Sequence, residues 1–274
     1  YGKDDGIIDI WGARLGYDED FDSHWMEFAD ALAEYQHALK CLPKDASTVL
    51  RLSYVALPKA VIHLLSDALE STQFKSISLY ENNFGRHGIK FALNYFQNNP
   101  KLEEFVLNSN PIDHEDDVNQ LCEIVKDHPT LNTIYLDECC GEDIDGHETL
   151  RSIITAGASK LKCISLRKSR ISTGGSTFIG DFLATNPILE KLKLGRNNLN
   201  DKDATSIASA LKHNTNLQCL DIAGNGNITI SGWTALWNAE FDSASLNSAA
   251  DSNHTCLMIN PVSRFNGDSM RGDL

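Results

Sequence analysis

The stretch Leu189–Asn200 reads LEKLKLGRNNLN, with leucines at its first, fourth, sixth and eleventh places and an asparagine at its ninth. A helix asks for apolar residues every three or four places, and a half-buried strand asks for strict alternation. This stretch does neither throughout. Leu192 and Leu194 alternate as in a short strand, while Leu189 and Leu199 flank it in the bends leading in and out.

The pattern recurs. Aligned on the first aliphatic place, the chain gives FKSISLYENNF from Phe74, LEEFVLNSNPI from Leu102, LNTIYLDECCG from Leu131, LKCISLRKSRI from Leu161, LEKLKLGRNNL from Leu189 and LQCLDIAGNGN from Leu217. Successive spacings are 28, 29, 30, 28 and 28 residues, and a weaker copy, STVLRLSYVAL from Ser47, stands 27 before Phe74. Self-similarity at a fixed period outranks any local reading of secondary structure. The period resembles the leucine-rich repeat, and its length near 28 with a helical second half resembles the ribonuclease-inhibitor-like subfamily. The tract GGSTFIGDFLATNPILEKLKL and the tail SLNSAADSNHTC are also similar to an expanded repeat family of diatom-type algae; that narrower likeness implies no activity.

Second halves support the reading. In LNDKDATSIASALKHNTN, Ala204, Ile207, Ala208 and Leu211 form one apolar stripe of a short helix, with Asp201 or Asp203 available to cap its start and Asn214 past its end. ISTGGSTFIGDFLATNP and FGRHGIKFALNYFQNNP behave alike, Pro187 and Pro100 stopping each helix before the next strand. The expected fold is an α/β leucine-rich repeat solenoid, a horseshoe arc with a parallel concave sheet and convex helices. Leucines of neighbouring coils then share one core, each buried aliphatic contributing roughly 1.5–3 kcal/mol. Asn82, Asn110, Asn197 and Asn225 fall where backbone donors and acceptors turn inward, and an amide side chain satisfies both. Cys139 and Ser169 take that place in two coils, which are expected to be less regular.

The organisation divides at residues 1–46, 47–245 and 246–274. In the first part, Trp25, Phe28, Ala29, Leu32, Tyr35, Gln36 and Leu39 recur at helical spacing, as a helix capping the first coil requires, and IIDIWGARLGYDEDF before it reads as an extended arm. Residues Leu246 to Met258 depart from the repeat and are expected to close the far end, followed by a loose tail whose Arg271-Gly272-Asp273 is taken as coincidence.

A chain of 274 residues, 42% hydrophobic and 23% charged, has ordinary globular composition, and no apolar run approaches the eighteen residues of a membrane span. The formal charge of −14 argues against generic nucleic-acid binding. Seven cysteines in no paired framework read as free thiols in a reducing compartment, hence a cytoplasmic protein. The chain holds no GxSxG elbow, Walker-type loop, HExxH or intact GxGxxG, so no catalytic residue, cofactor or metal is assigned. The acidic loop Gly141–Glu148 misses the calcium-loop spacing because Ile154 stands where the closing glutamate belongs, and Asp18, Asp20 and Asp22 fail similarly at Ser23 and Ala29.

What remains is the concave sheet. Between the buried leucines the coils offer Ser78, Tyr80, Glu81, Glu104, Val106 and Asn108, then Thr133, Tyr135, Asp137 and Glu138, then Arg167, Lys168, Lys191, Lys193 and Arg196, and finally Cys219, Asp221 and Ala223. The sign runs from acidic to basic along the array, a polarity that can orient a protein partner. Tyr80 and Tyr135 are candidate anchors. A non-enzymatic interaction module or scaffold is the leading expectation; an enzyme regulator, such as an inhibitor or a GTPase-activating protein, and a structural subunit of a larger assembly are the alternatives. Asn197→Ala is expected to cost on the order of 1–3 kcal/mol through unpaired buried backbone groups; an unchanged melting midpoint refutes the role given to the turn amide.

Overall fold

A computed structural model describes residues 6–11, 21–39, 41–43, 46–55, 57, 59–70, 72–82, 84–240, 253 and 255–258. Among them, strands and helices alternate along the chain: β1 (Gly6–Trp11), α1 (Phe21–Leu39), β2 (Thr48–Ser53), α2 (Lys59–Glu70), β3 (Ser76–Tyr80), α3 (Gly85–Asn98), β4 (Glu104–Val106), α4 (Glu115–Asp127), β5 (Thr133–Tyr135), α5 (Gly146–Gly157), β6 (Cys163–Ser165), α6 (Phe178–Ala184), β7 (Lys191–Lys193), α7 (Asp201–Leu211), β8 (Cys219–Asp221), α8 (Ile230–Glu240) and β9 (Leu257–Met258). The strands form one sheet in sequence order, each parallel to the next. Strands pack about 4.8 Å apart and helices about 8–10 Å apart. A coil with strand on one side and helix on the other must therefore bend with its strands inward. The architecture is the leucine-rich repeat solenoid expected from the period.

The register lines up the spine. Leu50, Ile77, Phe105, Ile134, Ile164, Leu192 and Leu220 are successive partners across β2 to β8, and none is more than 1% exposed. Phe74, Phe96 and Phe105 widen this core in the early coils, the last two stacked with ring centres 4.6 Å apart.

Turn amides stitch coil to coil. Asn82, Asn110, Asn197 and Asn225 each donate from Nδ2 to a leucine carbonyl of the preceding coil, at Leu52, Leu79, Leu166 and Leu194, over 2.5–3.0 Å. Their Oδ1 atoms accept from the preceding coil's N–H groups, those of Val55, Asn82, Ser169 and Leu199 among them. The expectation for the two substituted coils divides. Cys139 donates its thiol to the Leu107 carbonyl at 3.1 Å, so it reaches where asparagine would, and its coil keeps a full strand and a 12-residue helix. The Ser169 hydroxyl is shorter and turns to Arg167 O. That coil has a left-handed Arg170, whose guanidinium reaches back to Cys140 O and Gly141 O, and a helix of only 7 residues.

Just before the turn amide, Tyr54, Glu81, Ser109, Glu138, Lys168, Arg196 and Gly224 all have φ between 50° and 73°. Glycine takes this place in only the last, and a non-glycine residue there costs of order 1–3 kcal/mol. From Tyr54 to Arg196 the geometry aims the N–H group at the next coil: Glu81 N at Asn108 O, Ser109 N at Asp137 O, Arg196 N at Ala223 O.

Asn214, expected merely to lie past a helix, belongs to a second polar column at the helix-to-strand corner. Asn99, Asn214 and Asn253 each donate backward, to Phe74 O, Leu183 O and Leu211 O at 2.7–2.8 Å, and accept from N–H groups just ahead. His128 holds the equivalent place, its Nε2 on Asn99 O at 2.9 Å and its Nδ1 accepting from Leu131 N at 3.1 Å. Helix starts also differ from expectation. Asn200, not Asp201 or Asp203, caps α7, with Asp203 closing a capping box. Asp201 instead accepts from Thr229 N, Thr229 Oγ1 and Gly232 N and so caps the helix of the next coil; those bonds hold its carboxyl below the usual carboxylate range.

At the N-terminal end, Trp25, Ala29 and Leu32 of α1 are buried and Phe28 and Tyr35 half-buried against the core; the side chains of Gln36 and Leu39 lie outside the described residues. The first residues of the arm form a sheet strand: β1 runs beside β2 from Gly6↔Thr48 to Trp11↔Ser53, placing Ile8 and Ile10 on the core, and residues 12–20 lie outside the described residues. At the other end Cys256 is buried and β9 joins β8. Asp18, Asp20, most of Leu246–Met258 and the tail with Arg271-Gly272-Asp273 lie outside the described residues.

Burial holds the His128 imidazole below its ordinary value of 6.5. As pH falls through 6.5 the unfolded chain takes up this proton first, so stability present above that pH drains away until the folded-state value is reached. His128→Asn keeps the column's bonds without the titration. Melting temperature between pH 7 and pH 5 is expected to fall more steeply in the parent than in this variant; equal slopes contradict the assignment.

Candidate functional site

Residues of the strands that do not enter the spine build the concave wall, and the parallel register stacks them in rows. One row runs Asp9, Arg51, Ser78, Val106, Tyr135, Ser165, Lys193, Asp221; a second runs Ile7, Val49, Ser76, Glu104, Thr133, Cys163, Lys191, Cys219. Neighbours in a row stand one strand apart, within reach of side-chain pairing. The wall's charges therefore find each other before they find a partner.

This pairing is densest where the sign reverses. Glu138 and Lys168, each about two-fifths exposed, form an ion pair. Arg167 Nε lies 3.1 Å from Asp221 Oδ2, two coils ahead, and the Asp221 side chain is only 1% exposed. Asp137 Oδ1 accepts from Ser165 Oγ at 2.5 Å and Arg167 N at 2.8 Å. Burial raises the Asp137 carboxyl, and the Ser165 hydroxyl, the Arg167 backbone and the charges of Arg167 and Lys193 pull against it. Asp221, expected as a contact residue, has its carboxylate engaged inside the wall, on Arg167 and on Ala223 N at 3.1 Å. Asn108 likewise spends its Oδ1 on Asp137 N at 2.8 Å.

On the acidic side, Glu104 accepts from Ser76 Oγ at 2.6 Å, and Glu81 sits half-buried in the left-handed turn. Tyr80 meets Tyr54 edge-to-face at 5.0 Å; burial, then the Tyr54 hydroxyl, push its phenol well up, so it stays neutral. Tyr135 is half-buried with the Lys193 ammonium 5.2 Å from its ring centre. Burial and the neighbouring Cys163 raise its phenol further. Tyr80 is thus held by the Tyr54 ring and Tyr135 by the Lys193 ammonium. Lys191 and Arg196 are exposed at the basic end.

The arrangement brings the predicted residues onto one surface but arranges them as pairs, not as a gradient of free charges. Sequence reasoning missed the wall's first strand, with Ile7 half exposed and Asp9 3.8 Å from Arg51. The alternation in IIDIW is the signal that could have found it. Among the described residues no three or more His, Cys, Asp or Glu side chains gather as a metal-holding group. In the acidic loop, Asp145 is engaged as the cap of α5, accepting from His147 N and Glu148 N.

Comparison with known proteins agrees with this geometry. A family model described as "Leucine Rich repeat" matches residues 185–208 and 213–236. The chain is 30% identical over 141 residues to mouse "NACHT, LRR and PYD domains-containing protein 5", an alignment covering 50% of this chain and 12% of that protein. The chain thus spans only a small part of the curated relative it matches. Period and register are those of a leucine-rich repeat solenoid, and these likenesses agree with that fold.

Proposed function

We propose that this chain is a non-enzymatic interaction module that holds a protein partner on its concave wall. The observation that carries the reading is the wall itself: a continuous sheet face, its charged side chains preset by pairing across coils, with two oriented tyrosines beside an exposed basic end. Side chains already fixed lose little entropy on binding, and tyrosine offers large contact area for few rotors. With Asp221 and Asn108 engaged internally, contact falls to Tyr80, Glu81, Glu104, Tyr135, Lys191, Lys193 and Arg196, and Asp137, Glu138, Arg167 and Lys168 position their neighbours. The ribonuclease-inhibitor-like character rests on the period near 28 residues and on helices of 11 to 14 residues in most coils. The seven free cysteines support a cytoplasmic setting.

Reversing Arg167 would strand Asp221, a buried carboxylate, beside a second one and unfold the coil. The informative variant is Lys191→Glu, Lys193→Gln and Arg196→Glu together, the amide at 193 sparing the buried Asp137 carboxylate a negative neighbour. Affinity recovery from cell extract followed by mass spectrometry is expected to yield a protein with the parent that this variant recovers at least about tenfold less, at unchanged melting temperature. Equal recovery removes the basic end from the site.

A further inference from the structure

The convex surface carries a feature that the concave reading does not use. Between α2 and α3 run two adjoining cavities of about 350 and 380 Å³, whose walls share Ser66, Phe91 and Asn94, so they form one trough along the helix pair. The seam is open because small polar residues meet there: Ser66 folds its hydroxyl back onto Ile62 O at 2.8 Å, and Asn94 faces outward. Ile62 and Phe91 line the trough near the helix starts, and Leu69 and Tyr95 line it farther along.

The charge at its mouth opposes that of the chain as a whole, while Glu70 lines the cavity farther along. In a protein of formal charge −14, the cavity near the helix starts is walled by Lys59, His63, Arg86, His87 and Lys90 and by no carboxylate. Beneath them Asp117, 1% exposed, draws Lys90 Nζ to 2.5 Å and Arg86 Nε to 3.6 Å, leaving those two side chains 39% and 48% exposed. Three permanent cations, Lys59, Arg86 and Lys90, against this one carboxylate leave a local charge of +2. Among the described residues Lys59, His63 and His87 make no ion pair. The placement also runs against helix electrostatics. First turns favour acids, and α4, α5 and α7 carry them; α2, α3 and α8 carry none, and α2 and α3 begin with Lys59, Arg86 and His87. The helix dipoles add to the positive potential at the mouth of the trough. Arg86 and Lys90 neutralise the buried Asp117, and the positive charge left over at the mouth favours an anionic ligand.

We propose that the α2–α3 trough is a second docking surface, one that takes an acidic peptide segment with its carboxylates on Lys59, Arg86 and His87 and an apolar side chain on Ile62 and Phe91. A free phosphate would use the charge and leave the apolar floor bare. A bilayer surface is too flat to enter a seam between two helices.

The test uses the full chain and a fluorescein-labelled peptide of glutamate and leucine with one phenylalanine, followed by anisotropy at low and physiological salt. Lys59→Glu with His87→Glu inverts charge without touching Asp117, and Asn94→Trp plugs the seam from its exposed side. Each is expected to weaken binding at least about tenfold with melting temperature unchanged. The concave variant at Lys191, Lys193 and Arg196 should bind as the parent does, which separates this surface from the concave one. Undiminished binding in both trough variants, equal binding of the lysine-for-glutamate peptide, or loss only in the concave variant would each overturn the proposal. So would capture by phosphatidylserine vesicles that depends on Lys59 and His87 while the peptide fails to bind.

Discussion

No coil of this protein can bury its own leucines. A strand of three or so residues and a helix of three turns have one apolar side each, and the two sides satisfy each other only when the next coil closes over them. The spine from Leu50 to Leu220 is therefore one object distributed over many coils. The rest follows from keeping it dry. Backbone groups at each turn would face that spine unpaired, so amides at Asn82, Asn110, Asn197 and Asn225 close them, and the corner column of Asn99, His128, Asn214 and Asn253 does the same on the other side.

The period exposes these interactions in the sequence because they repeat with it. Leucine rungs, turn amides and helical stripes were all legible, since each is a local residue type at a fixed place. What escaped was pairing between distant or irregular segments. Strand β1 meets β2 across α1, and β9 meets β8 outside the regular spacing, so neither arrives at the expected interval. The Asn214–Asn253 correspondence was equally hidden, though both begin a strand in the same way. At the wall, the residue types were right and their partners were not. A sequence shows that Arg167 and Asp221 point to the same face; it does not show that two coils' distance lets one bury the other.

That difference changes how binding is understood. Free acidic and basic blocks would act by long-range steering, whereas charges tied as Glu138–Lys168 and Arg167–Asp221 act mainly by fixing shape. On the reading proposed above, the wall offers a surface preset by these pairs, with Tyr80 and Tyr135 and one basic end. The trough between α2 and α3 has the opposite character, an excess of positive charge above an apolar floor. Both surfaces depend on the spine, because each is built from side chains contributed by adjacent coils.

The most direct test of a shared spine is hydrogen exchange on Leu192→Ala, a deletion at a site with no solvent exposure. If the coils are coupled, stability falls by about 2–5 kcal/mol, and amide protection drops by a common factor at Leu166, Leu194 and Leu220 in three consecutive coils. Loss of protection confined to the coil of Leu192, with Leu166 and Leu220 unchanged, would mean that each coil stands alone and would contradict the account.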